Sequence, residues 1–328
     1  MTHPMNRSRR SLLAAGASAG GLAVLPTRAQ SNFPRGPIRV IVALPPGGAA
    51  DSSARTMAAV LEKSLKQTVI VENRPGGQFQ IAMQALAAAP ADGHTLLHVY
   101  NSFASVHAVQ KLFDLEKQVT PVSTFGITPI FLLVRGDSPH RSLKDLIGWA
   151  RANPGGLTFS TVGPGSVEHL KMTQIEQSAG IRGVAVPYRG GPDQLKGLLG
   201  GEIDLMLSPA IFVKQFAPTG QVRALAILEP QRRSDFPGVP TAAEAGLAVS
   251  PMHYWGGYVV RAGTPTELVQ RLHRELAAAA FDPAVVERSA ANGGIPAASA
   301  SPEEFRALLV SEIAWMGDAA KALGLVKS

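Results

Sequence analysis

The chain has 328 residues, a formal charge of +7 and no cysteine. With 45% hydrophobic and 17% charged residues it is globular, and it is long enough for two α/β lobes. Missing cysteine excludes disulfides, thiolate metal sites, cysteine nucleophiles and a lipidated N-terminal cysteine.

Residues 1–30 hold Arg7, Arg9, Arg10 and Arg28 and no acid, so the remaining chain is left at only +3, four less than the whole. A charge that small and scattered makes no footprint for nucleic acid. Arg9-Arg10 precede Ser11, Leu12 and Leu13 and an Ala/Gly-rich run to Leu25. Pro26 ends the run, and Thr27-Arg28-Ala29 supplies a small-x-small site. That order predicts an export signal over 1–30, cleaved near Ala29, with a twin-arginine core. The run is too short for a membrane span, which needs roughly 20 apolar residues. The mature protein is expected to be soluble and periplasmic.

Strands and helices then alternate. PIRVIVAL (37–44) reads as a buried strand, PPGGAA (45–50) as a turn, and Asp51 as the cap of a helix carrying Ala54, Met57, Ala58, Leu61 and Leu65 at helical spacing. TVIV (68–71) and TLLHVY (95–100) are further strands, with a helix near 79–89 between them. A second cycle runs from FLLV (131–134) through LTFST (157–161), a helix near 166–178, VAVPY (184–188), IDLML (203–207) and RALAIL (223–228). Ser142 caps a helix between the first two of these strands. GYVV (257–260) is another strand. Two helices close the chain, one near 266–280 with Leu268, Leu272 and Leu276 on a stripe. The last starts at a Ser301/Glu304 capping box and buries Phe305, Leu308, Leu309, Ile313 and Met316. The pattern predicts an α/β protein with helices on both faces of a parallel sheet.

Catalytic signatures are missing. Gly163-Pro164-Gly165-Ser166 is no nucleophile elbow, and no phosphate-binding loop or dinucleotide fingerprint occurs. His94 and His98 lie four apart in a strand-like stretch and read as surface or satisfied core histidines, not metal ligands. Glu168 and His169 are neighbours on a helix and point apart. The chain is therefore read as a non-enzyme without cofactor or metal.

Two loops suit anion capture. ALPPGGAAD (43–51) and STVGPGSVEH (160–169) each join a strand to a helix start through glycines. Backbone N–H groups and the positive helix end favour a carboxylate there, and Thr161 and Ser166 add hydroxyls. In open α/β sheets such loops flank the ligand.

At these residues the chain resembles the tripartite tricarboxylate transporter substrate-binding family, the Bug receptors. PIRVIVALPPGGAAD (37–51), ENRPGG (72–77), ADGHTLL (91–97), STVGPGSVEHL (160–170), VPYRGGPDQLKGLLGGEIDLML (186–207), VRALAIL (222–228), VPTAAEAG (239–246) and RAGTP (261–265) follow in family order. The resemblance implies a two-lobed type II periplasmic binding protein fold of the Venus flytrap kind, with two hinge-crossing strands. Lobe 1 would be 33–128 plus 254–328, and lobe 2 would be 129–253. It also implies a monomeric receptor that captures a small carboxylate between the lobes for an integral-membrane permease. A sensor kinase is the alternative partner, and a hydrolase or isomerase on this scaffold a more distant one. Carried over residue by residue, the ligand-binding set is Leu44, Pro46, Gly47 and Asp51 from lobe 1 and Thr161, Gly163, Ser166 and His169 from lobe 2. Ser102 and Asp204 are additional candidates, Asp204 as an organiser of loops and waters.

Two departures stand out. Leu44 replaces the family's usual Phe or Tyr, and Gln78 and Phe79 replace glycines. The bulkier pair is expected to reach toward the cleft, where Phe79, Tyr100, Phe103 and Tyr188 could form an aromatic wall unless they pack in the core.

Overall fold

The structure is a computed structural model that describes residues 33–326 apart from Leu112 and Asn292. The export-signal reading of residues 1–30 lies outside them. Residues from Pro34 onward form one unit by their contacts.

The first strand, β1 (Ile38–Val42), is buried because it pairs on both sides. It runs parallel to β2 (Val69–Asn73) and to β3 (Thr95–Tyr100). Its β-branched run needs no polar alternation, as expected for a parallel strand covered by helices. Helix α1 (Ala49–Leu65) returns the chain to β2, with Ala54, Met57, Ala58, Leu61 and Leu65 turned inward as their spacing predicts. A 3₁₀ turn (Gly77–Phe79) and α2 (Gln80–Ala88) lead to β3, and α3 (Asn101–Gln110) and the single turn α4 (Leu115–Gln118) follow it. The sequence reading misses α3. NSFASVHAVQ has no side-chain cap at its start and almost no amphipathic contrast.

Strand β4 (Val119–Arg135) is the largest departure from expectation. Only its last part, FLLV, looks like a strand; Pro121, Gly126 and Pro129 disguise the rest. The chain accommodates them with irregularities at Pro121/Ser123 and Thr124/Gly126. From Val119 to Pro129, β4 pairs with the antiparallel β9 (His253–Arg261). From Ile130 onward it changes partners to β7 (Met206–Pro209) and β8 (Val222–Ile227). The sheet order is β10-β4-β9-β3-β1-β2, where β10 is Ile295–Pro296, so the sheet is mixed rather than purely parallel.

Between β4 and β9 the chain also forms α5 (Leu143–Ala152), β5 (Leu157–Thr161), α6 (Val167–Ala179), β6 (Gly183–Pro187), α7 (Gly191–Gly200) and α8 (Ala210–Phe216). Strands β5 and β6 pair in parallel, and Phe159 bridges to Leu205 beside β7. Ser142 caps α5 in a full capping box with Asp145. Helices α9 (Thr266–Ala280), α10 (Pro283–Ala291) and α11 (Pro302–Ala322) end the described chain. Ser301 caps α11, but the Glu304 carboxylate receives the amide of Ala300 rather than of Ser301 itself, so the predicted box is only half formed. Phe305, Leu309 and Met316 are buried as predicted. One apolar cluster joins Ile41 and Leu97 to Phe159, Leu170 and Met316, so α6 and α11 share a core with the first strands.

Candidate functional site

The first glycine loop is organised by one buried acid. Asp51 does not cap α1 as the sequence suggests. The helix starts two residues earlier, at Ala49, and its N-cap Gly48 offers no side chain. Asp51 sits in the first turn, 4% exposed, and works sideways. Its carboxylate accepts the Gly47 N–H at 2.9 Å, the Arg55 Nε–H at 3.0 Å and the Asn73 amide at 2.9 Å. Hydrogen bonding to Arg55 is the largest influence, and the carboxyl is held down at about 2. Asn73 also donates to the Leu44 carbonyl at 3.0 Å, closing the loop against β2. Gly47 has φ +88°, a backbone state that side chains resist. Pro46 and Gly47 are exposed at the tip. Because Arg55 balances Asp51, the uncapped amides at the start of α1 face outward without a competing negative charge.

That helix start opens on a cleft of about 660 Å³, within the usual range for small-molecule sites. Leu44, Ala49, Ala50 and Ser53 form one wall, and Pro209, Ile211 and Phe212 another. The base is made of β-strand residues, among them His98, Tyr100, Phe125 and Trp255. Thr128, Ser289 and Arg288 add polar groups. Arg288 is the one lysine or arginine on this lining among the described residues. Neither Arg288 nor its helix α10 shows in the sequence pattern, because ERSAANGG carries no motif.

The second loop is built differently. Ser166 is the N-cap of α6, its hydroxyl accepting the His169 N–H at 3.3 Å. Thr161 is 1% exposed, and its hydroxyl accepts the Gly163 N–H at 3.1 Å. His169 takes the Gly165 N–H on Nδ1 at 3.3 Å, and burial lowers its pKa. Gly163 holds φ +117°. None of these four residues is on the cleft lining. The connection to it runs through Glu168, whose carboxylate accepts a hydrogen bond from the hydroxyl of the cleft residue Tyr254. Burial and Glu168 together push the Tyr254 pKa well up, so it stays a neutral donor.

The remaining candidates also stand off the lining. Ser102 bonds the Tyr100 hydroxyl from behind, while burial pushes that phenol up to about 12. Asp204 accepts from the Thr158 amide and hydroxyl, both at 2.8 Å, which ties the bend before β7 onto β5. Of the ten sequence candidates, the structure puts Leu44 on the cleft wall and Asp51 just behind it.

Phe79 and Phe103 take the core-packing alternative rather than forming an aromatic wall. Phe79 and Phe103 are core residues packed on each other at 5.2 Å. Phe79 adopts a positive φ of 73° that turns its ring inward, so it does not intrude on the cleft. Tyr188 lies elsewhere, bonded to Glu202. Only Tyr100 of the four lines the cleft, together with Phe125, Phe212, Tyr254 and Trp255, none of which the sequence reading singles out. Trp255 is fixed by the chain around it. Its amide donates to Asn101 at 2.7 Å and its indole to buried Glu312 at 2.9 Å.

His98 also departs from expectation. It is buried, as read, but neither ring nitrogen finds a partner among the described residues, and desolvation lowers its pKa to about 4. It shares a strand face with Tyr100 two residues on, and this face borders the cleft.

An α/β fold in which an uncapped helix start opens on a cleft is the arrangement of a solute-binding protein. A TctC solute-binding protein from Polaromonas, solved without ligand, superposes with a TM-score of 0.81 at 25% identity over 88% of this chain and 99% of the other. A second structure, R. palustris Rpa4515 with adipate, gives a TM-score of 0.71 at 28% identity, covering 89% and 98%. In sequence, a UPF0065 protein from the tcbD–tcbE intergenic region of Pseudomonas sp. strain P51 is 35% identical over 316 residues, 94% of this chain and 92% of that one. The model of the tripartite tricarboxylate transporter family receptor matches residues 53–325, and the chain belongs to that family.

Proposed function

We propose that this receptor binds a small carboxylate in the cleft beside α1 and delivers it to the integral-membrane permease of a tripartite transporter. The observation that carries the reading is the start of α1. Its first-turn amides have no side-chain cap, they open on the cleft, and Arg288 lies on the same lining. A carboxylate placed there accepts from backbone N–H groups and from a guanidinium. Rpa4515, with adipate, is a relative in structure that holds such an anion.

In this reading residues 1–30 are an export signal cleaved near Ala29, and the mature protein acts in the periplasm as a monomeric binding protein without catalysis. Lobe 1 comprises 33–128 and 254–328, and lobe 2 comprises 129–253. The exchange of partners along β4 at Pro129/Ile130 supports that boundary. Closure about it would bring Gly163, Ser166 and His169 toward the ligand, with the Glu168–Tyr254 bond guiding the approach.

A thermal-shift screen of mono-, di- and tricarboxylates tests the reading. Bound ligand stabilises only the folded chain, so a carboxylate at about 100 times its Kd should add roughly 2.7 kcal/mol. A screen in which only neutral compounds raise the melting temperature refutes it.

A further inference from the structure

The base of the cleft carries a polar group that the fold leaves unmet. His98 lies on β3, 2% exposed, opposite Tyr258 of β9 in the strand register. Its ring lies against three aromatic rings, Tyr258 edge-on at 5.3 Å, Phe125 at 5.5 Å and Tyr100 at 6.1 Å between centroids. Among the described residues neither Nδ1 nor Nε2 has a hydrogen-bond partner, and the Tyr258 hydroxyl has none either. Yet His98 lies on the cleft lining.

An imidazole always presents polar atoms; the neutral ring has one N–H donor and one lone pair. Burial favours that neutral ring here, since its pKa falls to about 4. Leaving such atoms dry is costly, and packing alone would be served better by phenylalanine. The surrounding wall is apolar, with Leu44, Phe125, Ile127, Ile211, Phe212 and Trp255. The rings around His98 carry no charge, so a second carboxylate beside it would be desolvated against aromatic faces.

We propose that the ligand is a carboxylate with an apolar body that ends in a neutral hydrogen-bonding group, a hydroxyl or amide, which His98 receives. The inference rests on the carboxylate-receptor reading above and specifies the far end of the same ligand. His98 is then a specificity residue that rejects both the plain hydrocarbon end and the charged one. A site built to hydrogen-bond a hydroxyl discriminates strongly against analogues lacking it, because its own polar atoms are then left unpaired.

Calorimetric titration of the mature chain with matched pairs tests this: hexanoate against 6-hydroxyhexanoate, and phenylacetate against 4-hydroxyphenylacetate, with adipate as the dicarboxylate. The hydroxylated member of at least one pair should bind about tenfold tighter or better, and 6-hydroxyhexanoate should exceed adipate. His98→Phe should erase the preference and melt no lower than the wild type. His98→Gln, which keeps a donor and an acceptor, should retain part of the preference. A ratio near one in the wild type, or a ratio unchanged in His98→Phe, overturns the inference. So does a His98→Phe chain that fails to fold, since the imidazole would then be a structural group. If adipate or another dicarboxylate alone binds, this inference falls while the carboxylate reading stands. If no carboxylate binds, both fall.

Discussion

The two glycine loops look alike in sequence and do opposite things with their polar atoms. Both follow a buried strand, both turn through a glycine at positive φ, and both lead into a helix. In 43–51 the acid Asp51 binds sideways to Gly47, Arg55 and Asn73, and the helix start is left open to the cleft. In 160–169 the hydroxyls of Ser166 and Thr161 and the imidazole of His169 each take an N–H of the loop itself. Helix N–H groups are the shared resource. A loop that satisfies them internally is rigid, whereas a loop that leaves them free is suited to a guest.

Substitutions at three positions probe this contrast, beginning with the largest effect. Asp51→Ala removes the carboxylate that gathers three donors and should cost about 2 kcal/mol in chemical denaturation, since hydrogen bonds to a charged group are the stronger kind. The same group predicts an acid limit. Its folded pKa of about 2 lies below the ordinary 3.8. The stabilisation is therefore complete above 3.8 and is lost as pH falls toward 2. Asp51→Asn should flatten the stability profile in that window. An unaltered profile would mean that Asp51 does not hold the loop.

Gly48→Asp would make the first loop resemble the second. Gly48 has φ −79° and ψ 176°, suitable for a capping side chain, and a Cβ there meets nothing closer than 4.0 Å. Stability should rise by a few tenths of a kcal/mol, while carboxylate affinity falls about tenfold or more as the new anion occupies the helix start. Unchanged affinity by calorimetry would remove α1 from the site. The smallest effect is expected of Ser166→Ala, which uncaps α6 at a cost of about 1 kcal/mol. If the hydroxyl also reaches ligand on closure, affinity drops by a similar factor; a stability loss alone confines Ser166 to capping.

The histidine and the aromatic residues show where pattern reading stops. His98 sits in TLLHVY, whose neighbours are all apolar or aromatic, so its burial is evident. Whether its nitrogens are met depends on β9 and on Phe125, which lie more than 20 residues away in sequence. In sequence Phe79 follows a Gly-rich turn and fits either the cleft or the core. The positive φ of Gln78 and Phe79 turns the ring into the core, a backbone choice that composition does not reveal. Trp255 is likewise invisible as a cleft residue until Asn101 and Glu312 are seen to fix it.

Local chemistry in the sequence determined the repeated strand–helix units, the inward stripes of α1 and α11, the caps Ser142 and Ser301, and the two glycine loops, because periodicity and turn chemistry act over a few residues. Eight motifs in order also established the family, since the shared order extends through the chain. Only the tertiary structure decided which loop opens on the cleft, that β4 runs through two prolines to serve two pairings, and that Arg288 and His98 border the same space. Those outcomes depend on groups far apart in the chain competing for the same hydrogen bonds and the same buried volume, and local pattern carries no record of that competition.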